Sequence, residues 1–346
     1  MKGPTMNALY SLLAVLVLVL AGFACGQSEP ARMALATFVP YAAFTALLVG
    51  FCCRVVRWAL APVPFHIPVT CGQQKSLAWI RSAKFDNPYT RWGVVSRMAA
   101  EVLLFRSLFR NNCGRLSGGR LILGESAALW LCSLAFHWAL LLILLRHLRL
   151  FLEPVPEFIN ALERLDGYFQ IGAPPLYLSD VILVAALAYL LYRRFRDPAL
   201  RYLSLFSDYF ALFLLLAIGI TGILMRYFTG VDILNVKQFA LGLAAFRPNA
   251  PQALGTLFLC HLLLVCALAA YLPFSKLMHM GGVFLSPTRN LANNSRSRRH
   301  INPWNAPVKT HTYAEWEEEF RDKMQVAGIP LDIENGTEDD GNARTN

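Results

Sequence analysis

The run LILGESAALWLCSLAFHWALLLILLRHLRLF, residues 121–151, is apolar for most of its length yet carries two histidines, His137 and His147. A helix needs about 20 predominantly apolar residues to cross the hydrocarbon core of a bilayer, and this run has them. A second run, ALGTLFLCHLLLVCALAAYLPFSKLMH at 253–279, repeats the arrangement with His261 and His279. In lipid every backbone N–H and C=O must be satisfied internally, so such runs specify an all-α membrane protein. An ionisable side chain inside the bilayer is costly, which makes each of the four histidines a functional position by default.

The rest of the chain agrees. Of 346 residues, 56% are hydrophobic and only 16% charged, against about 25% charge in soluble domains. The net charge of +10 comes from Lys and Arg gathered in the loops of one membrane face, so nucleic acid is not an expected partner. The eight cysteines form no CxxC pair, and most lie inside apolar runs. That argues against an iron–sulfur or zinc site in this chain alone and against a disulfide framework. Cys260-His261 has Leu257 where a covalent haem motif requires its first cysteine.

Six spans are expected, at 7–25, 33–58, 121–151, 178–193, 203–228 and 253–279. The first is read as an uncleaved helix, the alternative being a signal peptide. The fourth is short and relies on Tyr189 and Tyr192 as interfacial anchors. The chain then divides into two N-terminal transmembrane helices (1–58), a long cytoplasmic segment (59–120), a four-helix core (121–280) and a cytoplasmic tail (281–346).

Charge sets the orientation. Arginines and lysines crowd 54–120, and Arg193, Arg194, Arg196 and Arg201 follow the fourth span, whereas 153–177 holds Glu153, Glu157, Glu163 and Asp166 with Arg164 as its only base. Both termini are therefore expected in the cytoplasm, with the chain passing repeatedly through the inner membrane. Within 59–120, Arg91–Arg110 mixes apolar residues with spaced arginines. It reads as an amphipathic helix on the membrane surface or under a partner, a solvated connector being the alternative. Thr312–Met324 reads as a short amphipathic helix, and 335–346 as disordered. His66, His300 and His311 fall in cytoplasmic segments and are read as surface or docking residues.

Haem b takes two neutral imidazoles on opposite faces, supplied in bundles by facing helices. The third span runs outward and the sixth inward, so depth pairs His147 with His261 near the outer face and His137 with His279 further in. At 1.5 Å per residue the two separations are about 15 Å and about 27 Å, a mismatch that helix tilt and a kink at Pro273 are expected to absorb. Arg146 and Arg149 stand where outer propionates are expected and Lys276 where an inner one is, although snorkelling accounts for all three equally well. Arg226 and Lys237, at the outer end of the fifth span, are candidate quinone contacts.

At these residues the sequence resembles the gamma-subunit family of respiratory nitrate reductases, di-haem cytochromes b whose histidines are spaced by ten on one helix and eighteen on another. Residues 70–77 (TCGQQKSL), 101–111 (EVLLFRSLFRN), 166–172 (DGYFQIG) and 286–304 (SPTRNLANNSRSRRHINPW) are similar to one branch, the membrane cytochrome b subunits of the dissimilatory sulfite-reduction-associated complex. The resemblance implies two haems b and menaquinone as cofactors. It also implies a cytoplasmic iron–sulfur subunit of heterodisulfide-reductase type, with further membrane and periplasmic subunits. The family's nitrate reductase members have five spans, and the sixth expected here favours the sulfite branch. The implied activity is electron exchange between menaquinone and the iron–sulfur subunit in sulfur respiration. Rival readings are a quinol-oxidising nitrate reductase gamma subunit proper, a haem-free transporter with a histidine proton relay, and a structural anchor.

Overall fold

The computed structural model describes residues 4–61, 72–109, 112–118, 120–168, 174–248, 254–294 and 310–332. The described residues up to 294 form one compact unit, and 310–332 belong to a second. In the first unit the chain runs through α1 (Pro4–Gly26), α2 (Glu29–Ala59), α3 (Arg91–Leu104) and α4 (Arg106–Phe109) into a hairpin of β1 (Asn112–Ser117) and β2 (Arg120–Glu125). It continues through α5 (Ala127–His147), α6 (Glu157–Asp166), α7 (Leu178–Arg196), α8 (Pro198–Leu203) and α9 (Phe206–Leu224). Then come α10 (Ile233–Ala244), α11 (Thr256–Tyr271), α12 (His279–Leu285) and α13 (Pro287–Asn290).

Among the described residues, five helical segments are long and apolar enough to cross a bilayer: Met6–Gly26, Glu29–Ala59, Ala127–Leu150, Phe206–Thr229 and Thr256–Phe274. The chain is thus a multi-pass helical membrane protein. The expected fourth span is α7, whose 19 residues carry Asp180 at one end and Arg193, Arg194 and Arg196 at the other. Its place in the bundle comes from packing: Leu183, Ala186 and Leu187 are buried against Phe136 and Ala139 of α5 and Leu215 of α9.

Two boundaries differ from expectation. Residues 121–125 belong to β2, paired antiparallel with β1, so the third span begins at Ala127. The signal was Gly118-Gly119 between two short runs, a hairpin turn, and Gly118 has φ 57°. The sixth span is not one kinked helix. Helix α11 ends at Tyr271, and Leu272–Phe274 and Lys276–Met278 are separate 3-10 turns. Pro273 lacks the N–H that would continue the ladder and its ring clashes with the preceding turn. Ser275 then restarts the chain, its hydroxyl accepting from the Leu277 N–H at 3.2 Å. His279 consequently opens a new helix, α12.

Helix α1 packs on α9 and α11, and α2 on α11. Close approach needs small residues, as at many membrane helix contacts. A Cβ at Gly22 would stand 2.7 Å from the Cys260 Cα, and one at Gly50 2.7 Å from the Pro273 Cβ. Helix α10, unforeseen in the sequence, is capped by Asp232 and packs Val236 and Phe239 against Leu35 of α2 and Phe258 of α11.

Helix α3 is amphipathic in an inverted sense. Val94, Arg97 and Glu101 are buried, whereas Trp92, Val95 and Leu103 are exposed. The Glu101 carboxylate accepts from the Ser107 N–H at 3.1 Å and from the Ser107 hydroxyl. In the second unit, α14 (Tyr313–Val326) begins with a capping box between Thr312 and Glu315, and His311 precedes it. His66, His300 and the expectation for 335–346 lie outside the described residues.

Candidate functional site

Helices α5 and α11 carry three of the four histidines but do not pack on each other along their lengths; α7 and α9 link them. Across that separation the His137 and His279 rings meet with centroids 5.9 Å apart and planes at 81°. Two imidazole nitrogens bound to one metal at about 2 Å each, with about 1 Å from nitrogen to ring centre, put the centroids about 6 Å apart. His147, at the end of α5, and His261, on α11, are the two histidines expected to form a second pair. His147 and His279 are exposed and His137 and His261 half-buried.

The imidazoles share a second property. His137 Nδ1–H donates to the Ser133 carbonyl (2.7 Å), His147 Nδ1–H to that of Ile143 (2.7 Å) and His279 Nδ1–H to that of Lys276 (2.9 Å). His261 Nδ1 lies 2.8 Å from Thr221 Oγ1, whose own proton goes to the Ala217 carbonyl at 2.8 Å. The three carbonyl contacts set the tautomers of His137, His147 and His279, leaving each Nε2 with a lone pair directed away from its anchor, and His261 is held at Nδ1 by a hydroxyl. Gly222, on the same turn of α9, would bring a Cβ within 3.5 Å of His261 Cε1.

The inner pair has an unforeseen wall. Phe105, in the left-handed region at φ 50°, sets its ring edge-on to His137 at 4.8 Å, and Phe136 does the same at 4.7 Å. The end of α3 is fastened to α5 by Trp138 Nε1–H donating to the Leu103 carbonyl (3.1 Å) and Trp130 Nε1–H to that of Leu104 (2.7 Å). The segment read as wholly cytoplasmic therefore reaches the middle of α5. Neither Thr221 nor Phe105 was legible as a site residue, because each meets its histidine through tertiary packing.

The candidate cations all have protein partners. Arg146 is buried between Asp166 (3.2 Å) and Asp180 (2.8 Å), and also donates to the Ser179 hydroxyl at 3.0 Å. Its guanidinium and that of Arg226 both stack on Tyr177, each 3.8 Å from the ring centre. Tyr227 completes this network by donating to Asp180 at 3.0 Å. Arg149 pairs with Glu163, Lys237 with Glu153, and Lys276 with Asp208 at 2.8 Å. Arg226 keeps a buried Nε–H with no hydrogen-bond partner among the described residues.

The bundle thus brings His137 and His279 ring to ring and holds four histidines by hydrogen bonds at Nδ1, and residues 92–297 match the nitrate reductase gamma subunit family. The chain belongs to that family. It is also similar to two proteins named Hdr-like menaquinol oxidoreductase cytochrome b-like subunit. The one from Archaeoglobus fulgidus is 45% identical over 273 residues, 77% of this chain and 82% of the relative. The one from Archaeoglobus profundus is 42% identical over 274 residues, 77% of this chain and 81% of the relative. Both are consistent with the branch read from the sequence.

Proposed function

We propose that this chain is the quinone-linked di-haem cytochrome b of a membrane oxidoreductase complex, with His137 and His279 holding one haem b and His147 and His261 the other. The observation that carries this reading is the shared anchoring of four intramembrane histidines at Nδ1, supported by the 5.9 Å approach of His137 to His279. Haem b, when bound, supplies a one-electron iron couple. The protein's own part is to hold each Nε2 neutral and aimed, through Ser133, Ile143, Lys276 and Thr221, and to wall the inner pair with Phe105 and Phe136.

The relatives' names support menaquinone as the membrane carrier. Arg226, with its free Nε–H, is the donor offered to a quinone oxygen beside the outer pair, and Lys237 the second candidate contact. The reading includes a cytoplasmic iron–sulfur subunit of heterodisulfide-reductase type, further membrane and periplasmic subunits, and a place in respiratory sulfur metabolism. Both termini are cytoplasmic in it, as the basic loops require.

The test is a reduced-minus-oxidised visible spectrum of the chain purified in mild detergent, with haem quantified per chain. Two haems b are expected. Replacing either member of one pair by alanine should remove one haem and leave the other. A folded preparation without haem would overturn the reading.

A further inference from the structure

Away from the histidines, a cleft of about 420 Å³ opens between the 75–90 segment and the start of α3. Lys75, Lys84, Ser82, Tyr89, Thr90 and Ser96 supply its polar lining. Both lysines are exposed, and among the described residues neither has a carboxylate partner. The nearby carboxylate, Asp86, is held by Arg106 at 2.7 Å. Lys75 is held over the Tyr89 ring, 4.5 Å from its centre. The cleft thus presents two ammonium groups and several hydroxyls, a donor set for a phosphate-bearing anion. Its volume lies within the range of small-ligand sites, about 300–1,000 Å³.

The surroundings identify the source of that phosphate. Trp92, next to the lining residue Gly93, and Trp79, between Lys75 and Ser82 in the chain, are each 80% exposed. Indole rings favour the headgroup level of a bilayer. From Trp92 the exposed stripe of α3 continues through Val95 and Ala99 to Leu103, while Arg97 and Glu101 turn inward. Such a face suits acyl chains rather than water. A cationic cleft at the head of an outward apolar stripe matches the two ends of a lipid.

We propose that this cleft binds the phosphate headgroup of an anionic phospholipid, with Lys75 and Lys84 as its charge partners and the outer stripe of α3 along its acyl chains. The site seats α3, and through it the Phe105 wall of the inner histidine pair, against the membrane.

The test uses the full chain in nanodiscs, with lipid retention read by native mass spectrometry. Phosphatidylglycerol should be retained over phosphatidylcholine, and Lys75→Gln with Lys84→Gln should lower that preference about thirtyfold. The Lys75→Arg and Lys84→Arg pair should keep it, which separates loss of charge from loss of fold. Unchanged retention in the glutamine pair would overturn the proposal. Displacement of the lipid by millimolar inorganic phosphate would assign the cleft to a free anion instead. Amine labelling of both lysines that is blocked only by a co-expressed partner subunit, and not by phosphatidylglycerol, would assign it to a protein.

Discussion

Thr221 shows how one side chain sets the chemistry of another forty positions away. Its hydroxyl lies 2.8 Å from His261 Nδ1, and as an acceptor there it would raise the basicity of the imidazole as a ligand. Thr221→Val removes that acceptor, so the haem held by His147 and His261 should become easier to reduce. A hydrogen bond worth about 1 kcal/mol corresponds to roughly 40 mV for one electron. A spectroelectrochemical titration should show one midpoint rising by that order and the other unmoved; a shift of both would count against the pairing. Arg146 makes a different point. Buried between Asp166 and Asp180, it neutralises two carboxylates, and Arg146→Met would leave them uncompensated. Removing one partner of a buried ion pair costs about 3–5 kcal/mol. Thermal melting in detergent should show that loss while the visible spectrum of the haem on His137 and His279 persists.

Among the elements, the break after α11 decides where His279 stands. A straight helix would carry it about 27 Å beyond His261; two 3-10 turns around Pro273 redirect it toward His137 instead. Gly50 of α2 makes room for that proline. Gly50→Leu should force the turn aside at a cost of about 1–3 kcal/mol. Haem analysis should find the His137–His279 site depleted and the His147–His261 site full. Loss of both haems would mean that the turn governs the whole bundle rather than one ligand. Helix α3 is the other element with more than one role, since its buried Arg97 and Glu101 tie it to the protein while its end closes over His137.

At the scale of the whole molecule, the proposed orientation rests on the contrast between arginine-rich 54–120 and acidic 153–177. A green fluorescent protein fused after Asn346 should fluoresce, and alkaline phosphatase fused after Glu163 should be active. The opposite pattern would reverse the membrane sides of the two histidine pairs and place the basic segments away from any cytoplasmic partner. Helix α7 belongs to the same scale, because its interior leucines and alanines fill the space between α5 and α9 although its ends are charged.

The sequence by itself determined the membrane-helical class and most span positions, because apolar length is a local property, and the cost of an intramembrane imidazole made the four histidines candidates. It also led to the expectation that His137 faces His279, since antiparallel spans bring those depths together, and the two rings stand 5.9 Å apart. Tertiary structure alone decided the rest. Arg146, Arg149 and Lys276 read as propionate contacts and Lys237 as a quinone contact, yet each also found a carboxylate at a distance in sequence that no pattern discloses. The α3 stripe read as an amphipathic helix on the membrane surface or under a partner, and packing decided which face turned in, burying Arg97 and leaving Trp92 exposed. A side chain's partner is set by which helices become neighbours, and that is a property of the folded bundle rather than of any stretch within it.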